Sequence, residues 1–148
     1  MLAVVEARTL DDLPTWAWEL VEQSRVARLG HLDDSDRPRV LPVTYAIEGG
    51  AIWSAIDRKP KRTAEPARLR YLRRRPEASL TIDRYSENWA ELAWVQVLGR
   101  IDVREVSEAP EALAALARKY GPYRAEEPPG PLLRLAPERV LCWRAAQQ

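Results

Sequence analysis

The chain has 148 residues with 46% apolar and 30% charged side chains, the usage of one ordinary folded domain, so disordered, collagen-like and coiled-coil classes are excluded and one domain over residues 1–148 is expected. The formal charge is +1, which excludes a surface that attracts polyanions from every side. No apolar run approaches the ~20 residues of a membrane helix, and the opening Met1-Leu-Ala-Val-Val-Glu6 is too short and too soon acidic for a signal peptide, so no membrane contact and a cytoplasmic location are expected.

In chain order, residues 10–23 read as an amphipathic helix, with Thr9 as cap and Leu13, Trp16 and Leu20 on one face. Residues 25–32 form a first strand, turn formers fill 33–38, and residues 40–47 make a second strand. Pro42 lacks a ladder donor, which places this second strand at an edge or a bulge. A Glu48-Gly49-Gly50 turn leads to a third strand over 51–57, completing an antiparallel meander. A polar basic loop over 58–63 then precedes a Thr63-capped helix over 65–74, which stops before Pro76.

Two further strands follow over 78–85 and 92–103, the second with a bulge at Gly99. Ser107 caps a helix that Gly121 ends, and a Pro-rich connection leads to a final strand over 132–144, interrupted near Ala136-Pro137. Antiparallel strands with inserted helices make an α+β fold on a small closed barrel, because closure removes exposed sheet edges. There is no GxGxxG and no P-loop, which excludes the nucleotide sites those motifs build.

Chemistry-bearing residues are few. Cys142 is the single cysteine and His31 the single histidine, so an internal disulfide, a Cys/His zinc site and most His-dependent triads are excluded. His31 is read as a strand-end or turn histidine, with general-base catalysis as the competing reading. The clustered feature is the window 58–75, where nine basic residues face one carboxylate, Glu65. That window carries +8, so the remainder carries −7. Lys59, Lys61 and Arg62, directly before a Thr-capped helix, offer cations, a hydroxyl and free backbone N–H groups together, the donor set of an anion site. A solvated basic surface is the competing reading, and it is preferred for the arginines of the helix. Tyr71 among those arginines also admits a nucleic-acid-binding module, disfavoured by the compensating negative charge. Six Trp and no Phe point to core or dimer-interface packing for most of the indoles.

The run Arg25-Val-Ala-Arg-Leu, then Pro42-Val-Thr-Tyr45, then Asp57-Arg-Lys-Pro-Lys-Arg62, the Arg-Leu-Arg-Tyr-Leu helix and the terminal Glu138-Arg-Val-Leu-Cys-Trp-Arg144 resemble, in that order, the pyridoxamine 5′-phosphate oxidase-like split-barrel flavoproteins. Within them the chain is most similar to the actinobacterial-type branch described as deazaflavin (F420)-dependent. The resemblance implies a six-stranded antiparallel split barrel (the FMN-binding split barrel) with peripheral helices, a homodimer, and cofactor sites along the subunit interface. It places the cofactor phosphate on Lys59, Lys61, Arg62 and Thr63, and the ring along Pro42, Val43, Thr44, Ile56 and Asp57. From the other subunit, Trp94 and Trp143 close the site.

The implied cofactor is coenzyme F420, whose longer acidic tail suits the wide basic span, with FMN as the alternative. The implied activity is hydride transfer between that ring and a small organic substrate, with no catalytic acid-base pair required of the protein. A non-catalytic flavin- or deazaflavin-binding or storage protein is the second reading. The further basic and His residues that hold pyridoxal phosphate in true pyridoxamine phosphate oxidases have no counterpart in this one-His chain, so pyridoxamine phosphate is not the expected substrate.

Overall fold

Residues 93–101, Ala-Trp-Val-Gln-Val-Leu-Gly-Arg-Ile, alternate between apolar and mixed side chains, a pattern that gives a strand one dry face. A computed structural model of the chain describes residues 4–56 and 67–146, and its sheet is built around that strand. The strands are β1 (Val5–Ala7), β2 (Ala27–Leu32), β3 (Pro38–Val43), β4 (Ala46–Glu48), β5 (Ala51–Ala55), β6 (Glu77–Arg84), β7 (Ala93–Arg104) and β8 (Leu132–Arg144). The helices are α1 (Thr15–Gln23), α2 (Ala67–Arg74), α3 (Pro110–Lys119) and the short α4 (Gly121–Ala125).

Every pairing is antiparallel, in the order β3-β2-β6-β7-β8-β5-β4, with β1 added on β8. The two ends of this path, β3 and β4, are consecutive in the chain and separated by Thr44 and Tyr45. One stretch of chain therefore leaves one edge and enters the other, and the sheet closes as a barrel split at that corner. The α+β class and the split barrel are as expected, but eight strands replace six. The expected strand over 40–47 divides at the corner into β3 and β4, and residues 5–7 add β1.

The corner holds because its backbone groups find side-chain partners. Ser54 donates to the Thr44 carbonyl at 2.7 Å and the Tyr45 N–H donates to the Tyr120 hydroxyl at 3.1 Å. Pro42 sits on β3, which pairs with β2 alone, so its missing N–H costs no bond on a second side.

At Gly99 the register shifts as expected: Leu98 faces Arg139 and Gly99 faces Pro137, leaving Glu138 as the extra residue of β8. A Cβ on Gly99 would lie 2.0 Å from the Ala136 carbonyl oxygen, so only glycine allows that approach. The interruption expected near Ala136-Pro137 is this bulge inside a continuous β8.

Two helices differ from expectation. Pro14 pushes Leu13 to an extended conformation (φ −67, ψ 143), so the expected helix over 10–23 becomes a 3₁₀ turn at Leu10–Asp12 followed by α1. The Thr9 hydroxyl donates to the Asp12 carboxylate at 2.9 Å and caps no backbone group. Helix α3 begins at Pro110 and not at Ser107, after a turn in which the Glu105 N–H donates to the Glu108 carboxylate at 3.1 Å. It stops at the extended Tyr120, and Gly121-Pro122 opens α4 instead of closing α3.

The barrel interior is filled by Leu29, Leu80, Ile82, Val95, Val97, Val140 and Cys142, joined by Ala17, Leu20 and Val21 of α1 and by Leu69 and Leu72 of α2. A smaller cluster packs Ala112, Ala115 and Leu116 of α3 on Ala46, Trp53, Ala55 and Leu132. Among the described residues no helix is long and apolar enough to cross a membrane.

Candidate functional site

The edge strand β3 presents Pro42 to solvent and turns Val43 into the core. Thr44 is half-buried, its hydroxyl 2.8 Å from the Tyr123 hydroxyl and its carbonyl held by Ser54 of β5. Ile56, the residue that follows β5 and leads into the cationic run, is buried in the same cluster as Val43. Pro42, Val43, Thr44 and Ile56 therefore share one region at the split of the barrel. Asp57, Lys59, Lys61, Arg62 and Thr63 lie outside the described residues.

Trp94 and Trp143 come from sequence positions 49 apart, yet they face each other directly across β7 and β8. Both are half-buried and alternate with the core residues Val95 and Cys142, so they stand on the outer face of the sheet. Successive register pairs, Pro42 to Arg28, Arg28 to Thr81 and Thr81 to Gln96, put Pro42 on that same outer face. Three strand spacings separate β3 from β7, roughly 14 Å along the sheet. One chain does not bring the tryptophan pair against its own Pro42.

The arginines after residue 66 are largely committed. Arg70 and Arg74 reach Asp34 at 3.2 and 3.8 Å, and Arg75 reaches Asp36 at 2.7 Å, tying α2 to the acidic turn between β2 and β3. Such exposed pairs are individually weak, but they lower the free positive charge that the window shows in sequence. His31 lies buried on β2, its ring stacked on Tyr71 with centroids 6.2 Å apart and Nδ1 3.2 Å from the Leu32 carbonyl oxygen. Burial pushes its pKa below the ordinary histidine value, against the Leu32 hydrogen bond, and Arg68 and Arg39 lower it further. Its place is that of a packed strand histidine.

A second group was not visible in the sequence. The Lys119 ammonium sits 3.8 Å from the centre of the Tyr45 ring and 5.5 Å from that of Tyr120. Burial first, and then Arg25, lower the Lys119 pKa to about 8, while Glu22 opposes the shift. The Tyr45 hydroxyl donates to the Val21 carbonyl at 2.5 Å, and burial raises its pKa. Tyr120 has one proton for two acceptors, the Arg25 carbonyl at 2.8 Å and the Tyr45 carbonyl at 3.0 Å. Arg25 itself donates to the Lys119 carbonyl at 2.6 Å, at the C-terminal end of α3. Tyr45 and Lys119 are 74 residues apart and carry no shared motif, so no spacing signal could have joined them.

Lys119 borders a cleft of about 510 Å³ between α1, the turn joining β4 to β5, and the end of α3. Gly50 borders this cleft while Ile56 lies just past the other end of β5, six residues or roughly 20 Å away along an extended chain. The cleft and the start of the cationic run are thus separate places.

Eight antiparallel strands closed at a split corner, with α1 and α2 packed into the core, define the class of split-barrel proteins. Residues 17–144 match the pyridoxamine 5′-phosphate oxidase family, and the chain belongs to that family. Among solved structures, a conserved hypothetical protein of Mycobacterium tuberculosis is 18% identical, with a TM-score of 0.69 over 85% of this chain and 81% of that one. A protein of Mesorhizobium loti described as FAD-binding is 18% identical, with a TM-score of 0.67 over 98% of this chain and 100% of that one. A heme binding protein of Mycobacterium smegmatis is 22% identical with a TM-score of 0.70, and the match covers 92% of this chain but 57% of that longer one. No curated protein matches the chain.

Proposed function

We propose that this protein is an oxidoreductase whose homodimer holds a deazaflavin, coenzyme F420, or alternatively FMN, and exchanges hydride between the ring and a small organic substrate. The observation that carries the reading is the Ser54 to Thr44 hydrogen bond, which sets the Pro42-Val43-Thr44 corner beside the end of β5, where the cationic run begins in sequence. Family membership supports it, as does the FAD-binding description of the Mesorhizobium loti relative.

The donor set present fits such a group. β3 is paired on one side alone, which leaves backbone N–H and C=O groups along its other edge for the polar rim of a ring. Pro42, exposed and without an N–H, offers a flat apolar contact beside them. Lys59, Lys61, Arg62 and Thr63 would hold the phosphate, and Pro42, Val43, Thr44, Ile56 and Asp57 would line the ring.

When bound, the cofactor supplies a ring that accepts or donates hydride. The chain's own share is to bind, orient and exclude water. Fixed cations and backbone N–H groups favour the more negative reduced state of such a ring. Trp94 and Trp143 of one subunit cover the site of the other, which accounts for their half-exposed place on the outer face, remote from their own Pro42. The pairing of Arg70, Arg74 and Arg75 with Asp34 and Asp36 lowers the positive charge those three arginines offer an acidic tail.

The test is spectral titration of the purified protein with F420 and with FMN. Binding of either is expected, with Lys61→Ala weakening it by about 1.5–3 kcal/mol, the range for a hydrogen bond to a charged group. Unchanged affinity in both Lys61→Ala and Arg62→Ala removes the phosphate from this loop, and no binding of either cofactor overturns the reading. Binding without reoxidation of the reduced cofactor by a panel of enone and quinone acceptors turns the protein into a carrier of the cofactor.

A further inference from the structure

The cleft beside Lys119 borders Gly50, at the end of β5 away from Ile56, and has chemistry of its own. Its walls combine the apolar residues Trp18, Ile47 and Ala115 with Lys119. Three carboxylates, Asp11, Glu22 and Glu48, also border it, against Arg118 and Lys119 as cations. The amine lies over the Tyr45 ring, whose own hydroxyl is turned away onto the Val21 carbonyl, so the phenol does not hydrogen-bond the nitrogen lone pair. A lysine so placed is held in one position, at the border of a cavity large enough for a small molecule, beside carboxylates that can relay protons.

We propose that Lys119 is a nucleophilic amine that condenses with a small uncharged aldehyde entering this cleft, forming an imine and releasing water. In the first step the nitrogen lone pair of the neutral amine attacks the carbonyl carbon, the C=O π pair moves to oxygen, and a proton passes from nitrogen to oxygen by way of Glu22 or water. In the second, the carbinolamine hydroxyl takes a proton from Glu22 or water and leaves as water, the nitrogen lone pair closes the C=N bond, and the proton left on nitrogen returns to that donor. No electrons are gained or lost overall.

Four observations carry the assignment. The amine must be accessible, and Lys119 borders the cavity. It must be neutral for part of the time at physiological pH, and its basicity is reduced to about 8 by burial and by Arg25. The charged and titratable groups around it are Glu22 from α1, Arg25 ahead of β2, Tyr45 at the corner, Glu48 from β4, Arg118 from α3 and Tyr120 after it, with Asp11 also lining the cleft. Finally, once Lys119 is neutral the three carboxylates of the cleft outnumber Arg118 in its wall and Arg25 beside it, so the cleft favours an uncharged carbonyl compound over an anionic one.

The experiment uses the full chain with benzaldehyde and cyanoborohydride, which reduces an imine to a stable secondary amine, followed by peptide mapping across pH. The sequence has three lysines, Lys59, Lys61 and Lys119, so the map is unambiguous. Labelling of Lys119 is expected to be about tenfold or more faster than that of Lys59 and Lys61 near neutral pH, because each unit of lowered basicity raises the neutral fraction about tenfold. Its rate should rise with a midpoint near 8. Trp18→Ala should slow labelling at low aldehyde concentration while leaving that midpoint in place. Lys119→Arg, which keeps a cation at the Tyr45 ring, should abolish the fast phase. Equal labelling of all three lysines, or a midpoint at the ordinary lysine value, overturns the proposal, and faster labelling by glyoxylate than by benzaldehyde overturns the choice of an uncharged aldehyde. None of these readouts depends on a bound flavin.

Discussion

Strands β5 and β7 belong to one sheet, with β8 between them, yet their side chains meet different surroundings. All five residues of β5, Ala51 to Ala55, are buried, because one face looks into the barrel while α3 packs on the other. In β7 the burial alternates: Ala93, Val95 and Val97 are buried, and Trp94, Gln96 and Leu98 are half-exposed. A continuous apolar run thus marks where the chain covers its own sheet, and alternation marks where it does not. The half-exposed indole pair of Trp94 and Trp143 stands on that open face and is the place where a second copy is proposed to supply the cover.

The comparison can be broken or sharpened by substitution, beginning with the largest effect. Gly99→Ala puts a methyl group against the Ala136 carbonyl at a bulge that both β7 and β8 need, and a loss of about 3 kcal/mol or more is expected in urea unfolding. Leu116→Ala removes the fully buried leucine of α3 and should cost about 3 kcal/mol, independent of protein concentration. On the open face, Trp94→Ala should leave subunit stability within about 1 kcal/mol of the parent and instead shift sedimentation from dimer to monomer. If Trp94→Ala unfolds the subunit and leaves its association unchanged, the contrast between the two faces fails.

Lys119→Met tests the corner that joins α3 to the barrel. Because folding lowers the basicity of Lys119, the unfolded chain binds that proton more tightly, and unfolding takes one up between about pH 8 and 10.5. Stability therefore rises with pH across that window and the penalty is complete below it. The stability of Lys119→Met relative to the parent should be greatest near pH 7 and shrink toward pH 10, as measured by denaturant midpoints at each pH. The smallest effect is expected for Arg74→Ala, whose exposed contact with Asp34 at 3.8 Å should contribute less than about 0.5 kcal/mol.

Much of the fold was legible because its signals are local. Alternation located β6 and β7, Pro42 marked an edge, and Gly99 marked a bulge, each through a constraint that acts on one residue and its neighbours. The misreadings were also local competitions. Pro14 overrode the apolar periodicity of residues 10–23, and the Glu105 to Glu108 turn displaced the start of α3 from Ser107 to Pro110. Of the candidate residues, Val43 and Ile56 share the core cluster, and Trp94 is set opposite Trp143 by a register that neither strand reveals alone.

By itself the sequence determined the antiparallel α+β class, the edge and bulge positions and the concentration of cations after residue 57, since these follow from backbone sterics, periodicity and charge along the chain. Tertiary structure alone decided that β3 and β4 close the barrel through Thr44 and Tyr45, that Arg70, Arg74 and Arg75 spend charge on Asp34 and Asp36, and that Lys119 rests on the ring of Tyr45. Those contacts join residues tens of positions apart, and such pairs are set by how the sheet curls and where its helices land, which no short window of sequence encodes.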